Sequence, residues 1–319
     1  MSRWAIGVDL GGTNIRAAEV DEDGTVGATA SVPVNWSAEP EEPFAQLAAI
    51  VARVIDARDS LPEGIGVGAT GPVDVSTGFI DNPHTLPAHL NGDARRPLEI
   101  RFGLPVRFEN DANAAALAEA GFGGGRSSSV VVCVTVGTGI GVGVVRQGVP
   151  YRGAKGWHPE AGHMTVDPRG PACYCGTNGC LESIASGSAI LAAGVAAGIV
   201  GTGGTAKDVH DAANKGDQAA AGILANARNA LGIAARNLIA VHAADALIFA
   251  GGALGDTAPL LEIVNRSIGS GPFVPPGGVL VTESALGGLA GCIGAASLIV
   301  NNPSFIGGSS SPQPPRGPQ

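Results

Sequence analysis

Residues 4–20 read WAIGVDLGGTNIRAAEV, two apolar runs separated by a glycine-rich turn. The first run predicts a buried strand and the second its antiparallel partner, because both are apolar and partly β-branched. Asp9 stands near the end of the first run, and Gly11, Gly12 and Thr13 form the turn. Backbone N–H groups exposed in such a turn, with a threonine hydroxyl beside them, form a cradle for an anion. The alternative is a plain hairpin capped by a buried aspartate.

The same pattern recurs in the second half of the chain. Residues 130–136 are strongly β-branched, residues 137–139 form a Gly-Thr-Gly turn, and residues 140–145 resume the apolar pattern. Strand, glycine turn and strand therefore occur twice, which predicts an internal duplication with two α/β domains facing each other. Two such turns in one chain favour phosphate binding over a chance pair of hairpins.

The glycine-rich segment GFGGGR, at residues 121–126, marks the expected boundary between the domains. We predict an N-terminal α/β domain over residues 1–120 and a C-terminal α/β domain over residues 121–284. Residues 285–300 are a small-residue run that predicts a helix packing back on the first domain. Residues 301–319 are rich in Pro, Gly and Ser, a composition typical of a disordered tail.

The composition excludes several classes of protein. The 319 residues are 45% hydrophobic, which excludes global disorder, and the net charge of −9 argues against a nucleic-acid partner. An acidic residue and a glycine pair follow the N-terminus too closely for a secretory signal, and no apolar stretch is long enough to span a bilayer. Five cysteines, an odd number, fit a reducing compartment better than a disulfide scaffold. We therefore expect a cytoplasmic protein without a membrane partner.

Two other nucleotide-binding motifs can be set aside. The P-loop pattern G-x-x-x-x-G-K-[ST] is absent from the sequence. Residues 201–206, GTGGTA, fit the dinucleotide-binding pattern G-x-G-x-x-A, but no convincing strand precedes them and a lone match is weak. Neither a P-loop enzyme nor a dinucleotide-binding domain is therefore expected.

Asn110 and Asp111 stand where a short apolar strand meets an alanine-rich helix. Ligand groups of open α/β sheets gather at the carboxyl ends of strands, so both side chains are candidates for an active site. Asp111 is either the N-cap of the helix or a general base that takes a proton from a hydroxyl nucleophile. Position alone favours the cap.

A cluster of three cysteines predicts a metal site. Cys173, Cys175 and Cys180 have the spacing C-x-C-x4-C, and His163 lies ten residues upstream of the first of them. Three thiolates and one imidazole complete the tetrahedral coordination of zinc, so the metal would be structural. The alternative, unrelated buried thiols, is unfavourable because such dense clustering in a glycine-rich turn is rare.

Five motifs occur in the order expected of one protein family. They are D-x-G-G-T-N at residues 9–14, E-N-D-A-N-A-A-A at 109–116, G-T-G-I-G at 137–141, E-x-G-H at 160–163 and C-x-C-G-x-x-G-C-x-E at 173–182. With these motifs the chain resembles the ROK family of sugar kinases and repressors, and its glucokinases in particular. The resemblance implies an actin-like ATPase fold, which is ribonuclease H-like, with two α/β domains around the active-site cleft.

The resemblance also implies roles for individual residues. Asp111 would be the catalytic base, and Mg²⁺ would lie near Asp9. The residues expected to bind the sugar are Asn82, Asn110, Asp111, Glu160, His163 and Glu182. Those expected around ATP are Asp9, Gly11, Gly12, Thr13, Asn14, Gly137, Thr138, Gly139, Gly251 and Gly252, the last two beside the adenosine. The zinc ligands of the family match His163, Cys173, Cys175 and Cys180, in agreement with the spacing, and the family suggests a homodimer or homotetramer.

One stretch departs from the family pattern. Its glucokinases usually carry an Asn-Leu segment and a tryptophan before the catalytic aspartate, whereas residues 81–91 read DNPHTLPAHLN without tryptophan. Asn82 is still expected to contact the sugar, with His84 beside it. The residues for phosphoryl transfer are unaffected, but the identity of the sugar is left open.

The resemblance predicts an ATP-dependent kinase for the 6-hydroxyl of glucose or a closely related hexose. One alternative is a 6-kinase for an amino-sugar or another glucose analogue in a biosynthetic pathway. A second alternative is a non-catalytic sugar-binding regulator, because the family contains repressors. Those repressors carry a helix-turn-helix before the first motif, whereas here that motif begins at Asp9 and no basic patch is present, so we expect a kinase.

Overall fold

The structure, a computed structural model, describes residues 2–37, 43–268 and 274–301. The predicted disordered tail lies, from residue 302 onward, outside the described residues. Within the described ranges the strands are β1 (Trp4–Leu10), β2 (Asn14–Asp21), β3 (Val26–Pro33), β4 (Ile65–Ala69), β5 (Val73–Asp74), β6 (Phe79–Ile80), β7 (Gly92–Asp93), β8 (Val106–Asn110), β9 (Val130–Val136), β10 (Ile140–Arg146), β11 (Val149–Pro150), β12 (Ala246–Ala250) and β13 (Leu280–Glu283).

Most of the α-helices in the described residues lie in the second half of the chain. They are α1 (Ala45–Ile55), α2 (Arg95–Phe102), α3 (Asp111–Gly121), α4 (Leu181–Ala185), α5 (Gly187–Ala196), α6 (Ala206–Asn214), α7 (Gln218–His242), α8 (Ala258–Ile268) and α9 (Ala290–Val300). No helix in the part of the chain that the structure describes is both long and apolar enough to cross a membrane.

Two five-stranded sheets share one topology. The first has the strand order β3-β2-β1-β4-β8, and the second has the order β11-β10-β9-β12-β13. In each sheet three strands form an antiparallel meander, and two further strands continue the sheet in parallel. In the first sheet β4 pairs with β1 and β8 pairs with β4; in the second β12 pairs with β9 and β13 pairs with β12. The repeated strand, turn and strand of the sequence therefore reflects a repeated fold. A third, small sheet joins β5, β6 and β7.

Two helices form a layer between the large sheets. α9 packs on β1 and β4 of the first sheet, α3 packs on β9 and β10 of the second, and the two helices pack on each other. Their approach is very close, because a Cβ at Gly294 would lie only 1.7 Å from the backbone oxygen of Ala114. A buried cluster that includes Val20, Ala116, Cys133 and Ile293 joins both sheets through this layer. The C-terminal helix of the described chain thus lies on the first sheet.

The predicted elements agree with the structure except at one helix end. The strands predicted within residues 4–20, at residues 130–136 and at residues 140–145 are all found. The helix predicted over residues 285–300 begins only at Ala290, because Gly287 has a left-handed φ of +58° that an α-helix cannot include.

Candidate active site

The carboxyl ends of β1, β4 and β8 bring the predicted catalytic region together. In the register of these parallel strands, Asp9 lies beside Gly68, and Gly68 lies beside Glu109. Asn110 ends β8, and Asp111 begins α3. Side chains far apart in sequence thus share one edge of the first sheet, the edge at which open α/β sheets hold ligands.

Asp111 is not the N-cap of α3. Asn110 holds that position, because its side-chain oxygen accepts a hydrogen bond from the backbone N–H of Asn113 at 3.1 Å. Oδ1 of Asp111 accepts from Ala112 N at 2.8 Å and from Asn110 Nδ2 at 3.0 Å. Both bonds fall on one oxygen, and general-base chemistry would use the other. The cap alternative is wrong for Asp111, and the general-base alternative remains.

The acidity of Asp111 suits a general base. Burial raises its pKa to about 6, and the nearby charge of Asp9 adds to the rise. Burial also raises the pKa of Asp9, although Arg16 opposes this shift through an ion pair of 3.2 Å. A carboxyl group with a pKa near 6 is mostly ionised at pH 7 and accepts a proton more readily than an ordinary aspartate does.

A buried ion pair holds the start of α3. Glu109 is fully buried, and its Oε2 accepts a hydrogen bond from Arg152. Its Oε1 accepts from Asn110 N at 3.0 Å and from Asn113 Nδ2 at 3.1 Å. Asn113 in turn accepts from Val144 N of β10 at 3.3 Å. The network joins the strand end of the first sheet to the second sheet, next to the predicted base.

The two Gly-Thr turns face each other. The hydroxyl oxygens of Thr13 and Thr138 are 2.8 Å apart, so the turn after β1 meets the turn after β9. Each turn is closed by a backbone hydrogen bond, from Gly11 N in the first and from Gly137 N in the second. The residues predicted to surround the phosphates of ATP therefore come together from both halves of the chain.

The second turn is bordered by the start of α5 and by the loop after β12. Gly187 N donates to Gly137 O at 2.8 Å, which ties the helix N-terminus to the turn. Gly251 has a φ of +111°, and a Cβ there would lie 2.2 Å from Val136 O, so only glycine fits. The structure thus brings Gly251 and Gly252, predicted to border the adenosine, to the turn at Gly137.

Two predicted sugar-binding residues have polar partners that the motifs did not include. Glu160 Oε1 is 2.9 Å from His158 Nε2. Although burial raises the pKa of Glu160, the hydrogen bond and charge of His158 bring it below its ordinary value. His163 Nε2 is 3.1 Å from the hydroxyl of Tyr174. The carboxylate and the imidazole are thus both held by neighbouring aromatic side chains.

Glu182 and Asn82 support the loops around the turns. Glu182 Oε2 accepts from Ile140 N at 2.7 Å, immediately after the second Gly-Thr turn. The buried side chain of Asn82 donates to Gly71 O and accepts from Thr85 N at 3.0 Å. Contact of either side chain with a sugar stays a prediction.

The four predicted metal ligands are brought together. The ligand atoms of His163, Cys173, Cys175 and Cys180 all lie within 4.8 Å of one another. Cys173 Sγ is 3.5 Å from His163 Nδ1, and Cys175 Sγ is 3.4 Å from Cys180 Sγ. Donor pairs in a tetrahedral zinc site with ordinary bond lengths are about 3.6–3.8 Å apart. Hydrogen bonds with Thr177 lower the pKa of Cys175 to about 6, which favours the thiolate form that binds zinc.

Sequence reasoning missed four residues of this region: Thr85, Arg152, His158 and Tyr174. Arg152 and His158 lie in the loop that leads to the E-x-G-H motif, outside any motif, and Tyr174 is the variable position of C-x-C. Thr85 packs on Gly12, and its buried hydroxyl has no hydrogen-bond partner among the described residues. Only their closeness in sequence to motif residues could have indicated these four residues.

Two sheets of one topology, facing each other across paired Gly-Thr turns, define the actin-like ATPase fold, as predicted. The sequence model of the ROK family matches residues 5–302, and the chain belongs to this family.

The relatives that match the chain include kinases named for two kinds of sugar. A glucokinase of Thermotoga maritima is 34% identical over 311 residues, which covers 92% of this chain and 96% of that protein. A ROK family glucokinase from Streptomyces griseus, solved in complex with glucose and AMPPNP, has a TM-score of 0.78 and 33% identity, and the match covers 93% of this chain and 99% of that one. An N-acetylmannosamine kinase of Shigella boydii is 31% identical over 215 residues, which covers 67% of this chain and 71% of that protein.

Proposed function

We propose that the protein is an ATP-dependent kinase that transfers the γ-phosphoryl group to the 6-hydroxyl of glucose or a closely related hexose. The observation that carries the proposal is Asp111, whose pKa is about 6 and which lies at the edge of the sheet where the turn after Asp9 also lies. That turn meets its counterpart from the second half of the chain through Thr13 and Thr138. The two glucokinase relatives support glucose as the acceptor.

The proposed reaction uses one proton acceptor and two sets of hydrogen-bond donors that bind the phosphates. As the 6-oxygen forms its bond to the γ-phosphorus, Asp111 takes the hydroxyl proton, and the bond to the leaving ADP breaks. The backbone N–H groups of both turns, with the hydroxyls of Thr13 and Thr138, donate to the phosphate oxygens. Mg²⁺ bound near Asp9 supplies positive charge to the phosphates. Asn110, which donates to Asp111, orients the base.

The proposed sugar site is built from acceptors on the second half of the chain. Glu160, His163 and Glu182 hold the ring hydroxyls, and each carboxylate can accept two hydrogen bonds from neighbouring hydroxyls. We propose that Asn82, whose buried side chain donates to Gly71 O, borders the same cleft. Because positions on both halves must contact one sugar, closing of the cleft excludes water from the transferred phosphoryl group.

We also infer a structural zinc ion at His163, Cys173, Cys175 and Cys180. The donor distances support this ligand set, and four protein ligands leave no open position for chemistry. The cluster faces Nδ1 of His163, whereas Nε2 faces the hydroxyl of Tyr174. A bound metal would thus fix the orientation of the imidazole that contacts the sugar.

An amino-hexose is the second candidate acceptor. An amine in place of a hydroxyl is tolerated when a hydrogen-bond acceptor is close, and Glu160 and Glu182 supply such acceptors. The segment at residues 81–91, which departs from the family pattern, contains Asn82, one of the proposed sugar-binding residues. A non-catalytic regulator is disfavoured because Asp111 and both Gly-Thr turns are present.

The test is a kinase assay with the purified full chain, with ADP release measured for glucose, mannose, glucosamine and other amino-hexoses. We expect kcat/KM for glucose to exceed the value for glucosamine. A higher kcat/KM for an amino-hexose than for glucose would identify the amino-hexose as the acceptor. If none of the hexoses supports ADP release, the kinase proposal is rejected.

A further inference from the structure

The hydroxyl of Tyr174 takes a hydrogen-bonding position that the proposed sugar site needs. Its oxygen is 3.1 Å from Nε2 of His163, and the two rings meet edge to face with 5.1 Å between their centroids. Tyr174 stands between Cys173 and Cys175, at a position whose identity the cysteine motif does not fix. A tyrosine therefore lies against one of the three side chains proposed to hold the ring hydroxyls of the sugar.

The other two of these side chains lie close to the same hydroxyl. Burial raises the pKa of Tyr174, and the charges of Glu182 and Glu160 raise it further, so both carboxylates are within electrostatic reach of the phenol oxygen. The residue as a whole is 60% exposed, so much of its ring is open to solvent while its polar end is directed inward. The hydroxyl thus lies among Glu160, His163 and Glu182, as a sugar hydroxyl in the proposed site would.

The imidazole of His163 cannot serve Tyr174 and a sugar at the same time. Each ring nitrogen carries either one hydrogen or one lone pair, so each makes one good hydrogen bond. Nδ1 is 3.5 Å from Sγ of Cys173, on the side of the proposed zinc ion, which leaves Nε2 for the sugar. Because Nε2 faces the Tyr174 hydroxyl, a sugar hydroxyl can bind there only after the tyrosine has moved away.

A ring from the first half of the chain packs on Tyr174. The centroid of the His84 imidazole is 5.5 Å from that of the Tyr174 ring, with an angle of 33° between the planes. Aromatic rings at this distance attract each other. His84 belongs to residues 81–91, the segment that departs from the family pattern. Tyr174 is therefore held by contacts with both halves of the chain, His84 on one side and His163 on the other.

We propose that Tyr174 sets the affinity of the acceptor site by competing with the sugar for Nε2 of His163. The sugar binds when one of its hydroxyls replaces the phenol, and the exposed tyrosine ring then turns away from the imidazole. This inference rests on the proposed function, because it takes His163 as a sugar-binding residue. It predicts that removal of the Tyr174 hydroxyl strengthens sugar binding, whereas a change in a merely structural residue would weaken it.

The first measurement is the Kd for glucose of the full chain, by titration calorimetry, for the wild type, Tyr174→Phe and the control Tyr151→Phe. Tyr151 is the only other tyrosine of the sequence, and its ring lies against His242 and Arg146. We expect Tyr174→Phe to lower the Kd by about three- to tenfold, the net value of about one hydrogen bond, and the control to leave it unchanged. Zinc content and thermal melting check that the cysteine cluster and the fold are intact.

The second measurement follows Tyr174 in the wild type and so does not depend on the folding of a variant. With ¹³C-labelled tyrosine the chain gives ring signals from two residues, and each of the two variants removes one set. Glucose should shift the signals of Tyr174 and leave those of Tyr151 in place. Glucose binding that leaves the Tyr174 signals unshifted, or a Kd that is unchanged or higher in Tyr174→Phe, would overturn the inference.

Turnover of the same proteins separates this inference from the proposed function. If glucose shifts the Tyr174 signals and binds more tightly to Tyr174→Phe, but no phosphoryl group is transferred, only the kinase proposal fails. If glucose is phosphorylated while its Kd is the same for Tyr174→Phe as for the wild type, only the competition is wrong. If no hexose binds to any of the proteins, both are wrong.

Discussion

The carboxyl group of Asp111 accepts two hydrogen bonds and yet has a raised pKa. Bonds from Ala112 N and Asn110 Nδ2 favour the ionised form, whereas burial and the charge of Asp9 favour the neutral form more strongly. The balance leaves an aspartate that is oriented by its neighbours and basic enough to take a proton from a hydroxyl. Substitution and pH each test this arrangement.

Asp111→Asn should lower kcat by about 10²–10⁴-fold and leave the Kd for the sugar within a few-fold. The amide keeps the shape and one accepting oxygen, but it cannot take the proton. Single-turnover kinetics and equilibrium binding measure the two effects separately. A variant that keeps more than about a tenth of the wild-type kcat would show that Asp111 is not the base.

The pH profile should report the raised pKa. Because the base acts in its ionised form, kcat/KM for the sugar should be nearly constant above about pH 7, fall to about half near pH 6 and decrease about tenfold per pH unit at lower pH. An aspartate at its ordinary value of 3.8 would keep full activity to well below pH 5. A profile measured from pH 4.5 to 8 at saturating ATP distinguishes the two, and a flat profile contradicts the account.

Single residues were predicted from the sequence where a motif contains them and missed elsewhere. From the sequence, Asp111 could be either the N-cap of α3 or the general base, because a helix start that differs by one residue changes which side chain is the cap. In the structure the side chain that accepts from Asn113 N is that of Asn110. His158 has no motif and no periodic pattern. Its burial involves contact with Gly71, which is distant in sequence.

At the scale of elements, the start of α3 depends on the ion pair between Glu109 and Arg152. Removal of one partner of a buried pair leaves the other charge in a poor environment, so Arg152→Ala should lower the free energy of unfolding by about 3 kcal/mol and also lower kcat. Arg3→Ala is the matched control, because Arg3 forms an exposed ion pair with Glu63 and such surface pairs contribute little to stability. Urea unfolding measures both, and equal effects of the two variants would contradict the role of Arg152.

The cysteine cluster gives a second prediction at this scale. Cys175→Ser replaces a thiolate by a poorer ligand in a closed site, so zinc content and melting temperature should both fall. Activity should fall as well, since His163 belongs to the cluster and to the proposed sugar site. If metal analysis of the purified wild type finds far less than one zinc ion per chain, the zinc proposal is wrong.

Strands and helices with a clear hydrophobic or β-branched pattern were predicted, and those of uniform composition were not. The β-branched run at residues 130–136 gave β9 at the correct residues. α5 consists almost entirely of small and apolar residues, so it shows no helical periodicity in the sequence. The late start of α9 comes from the left-handed turn at Gly287, which residue composition does not indicate.

At the scale of the whole molecule, the duplication was predictable and the packing between the halves was not. A repeated strand and Gly-Thr turn in the sequence implies a repeated sheet, and both sheets have the same strand order. The layer of α3 and α9 between them relies on contacts such as Gly294 on Ala114, which join segments far apart in the chain. This layer joins the two sheets that carry the turns and the predicted base.

The position of the phosphoryl group in the product tests the central claim most directly. After incubation of the purified chain with glucose, ATP and Mg²⁺, a two-dimensional ¹H–³¹P NMR spectrum shows which carbon carries the phosphate. The account predicts a correlation from phosphorus to the protons of C6, present with the wild type and lost with Asp111→Asn. Phosphate on another carbon, or no phosphorylated sugar with the wild type, would contradict it.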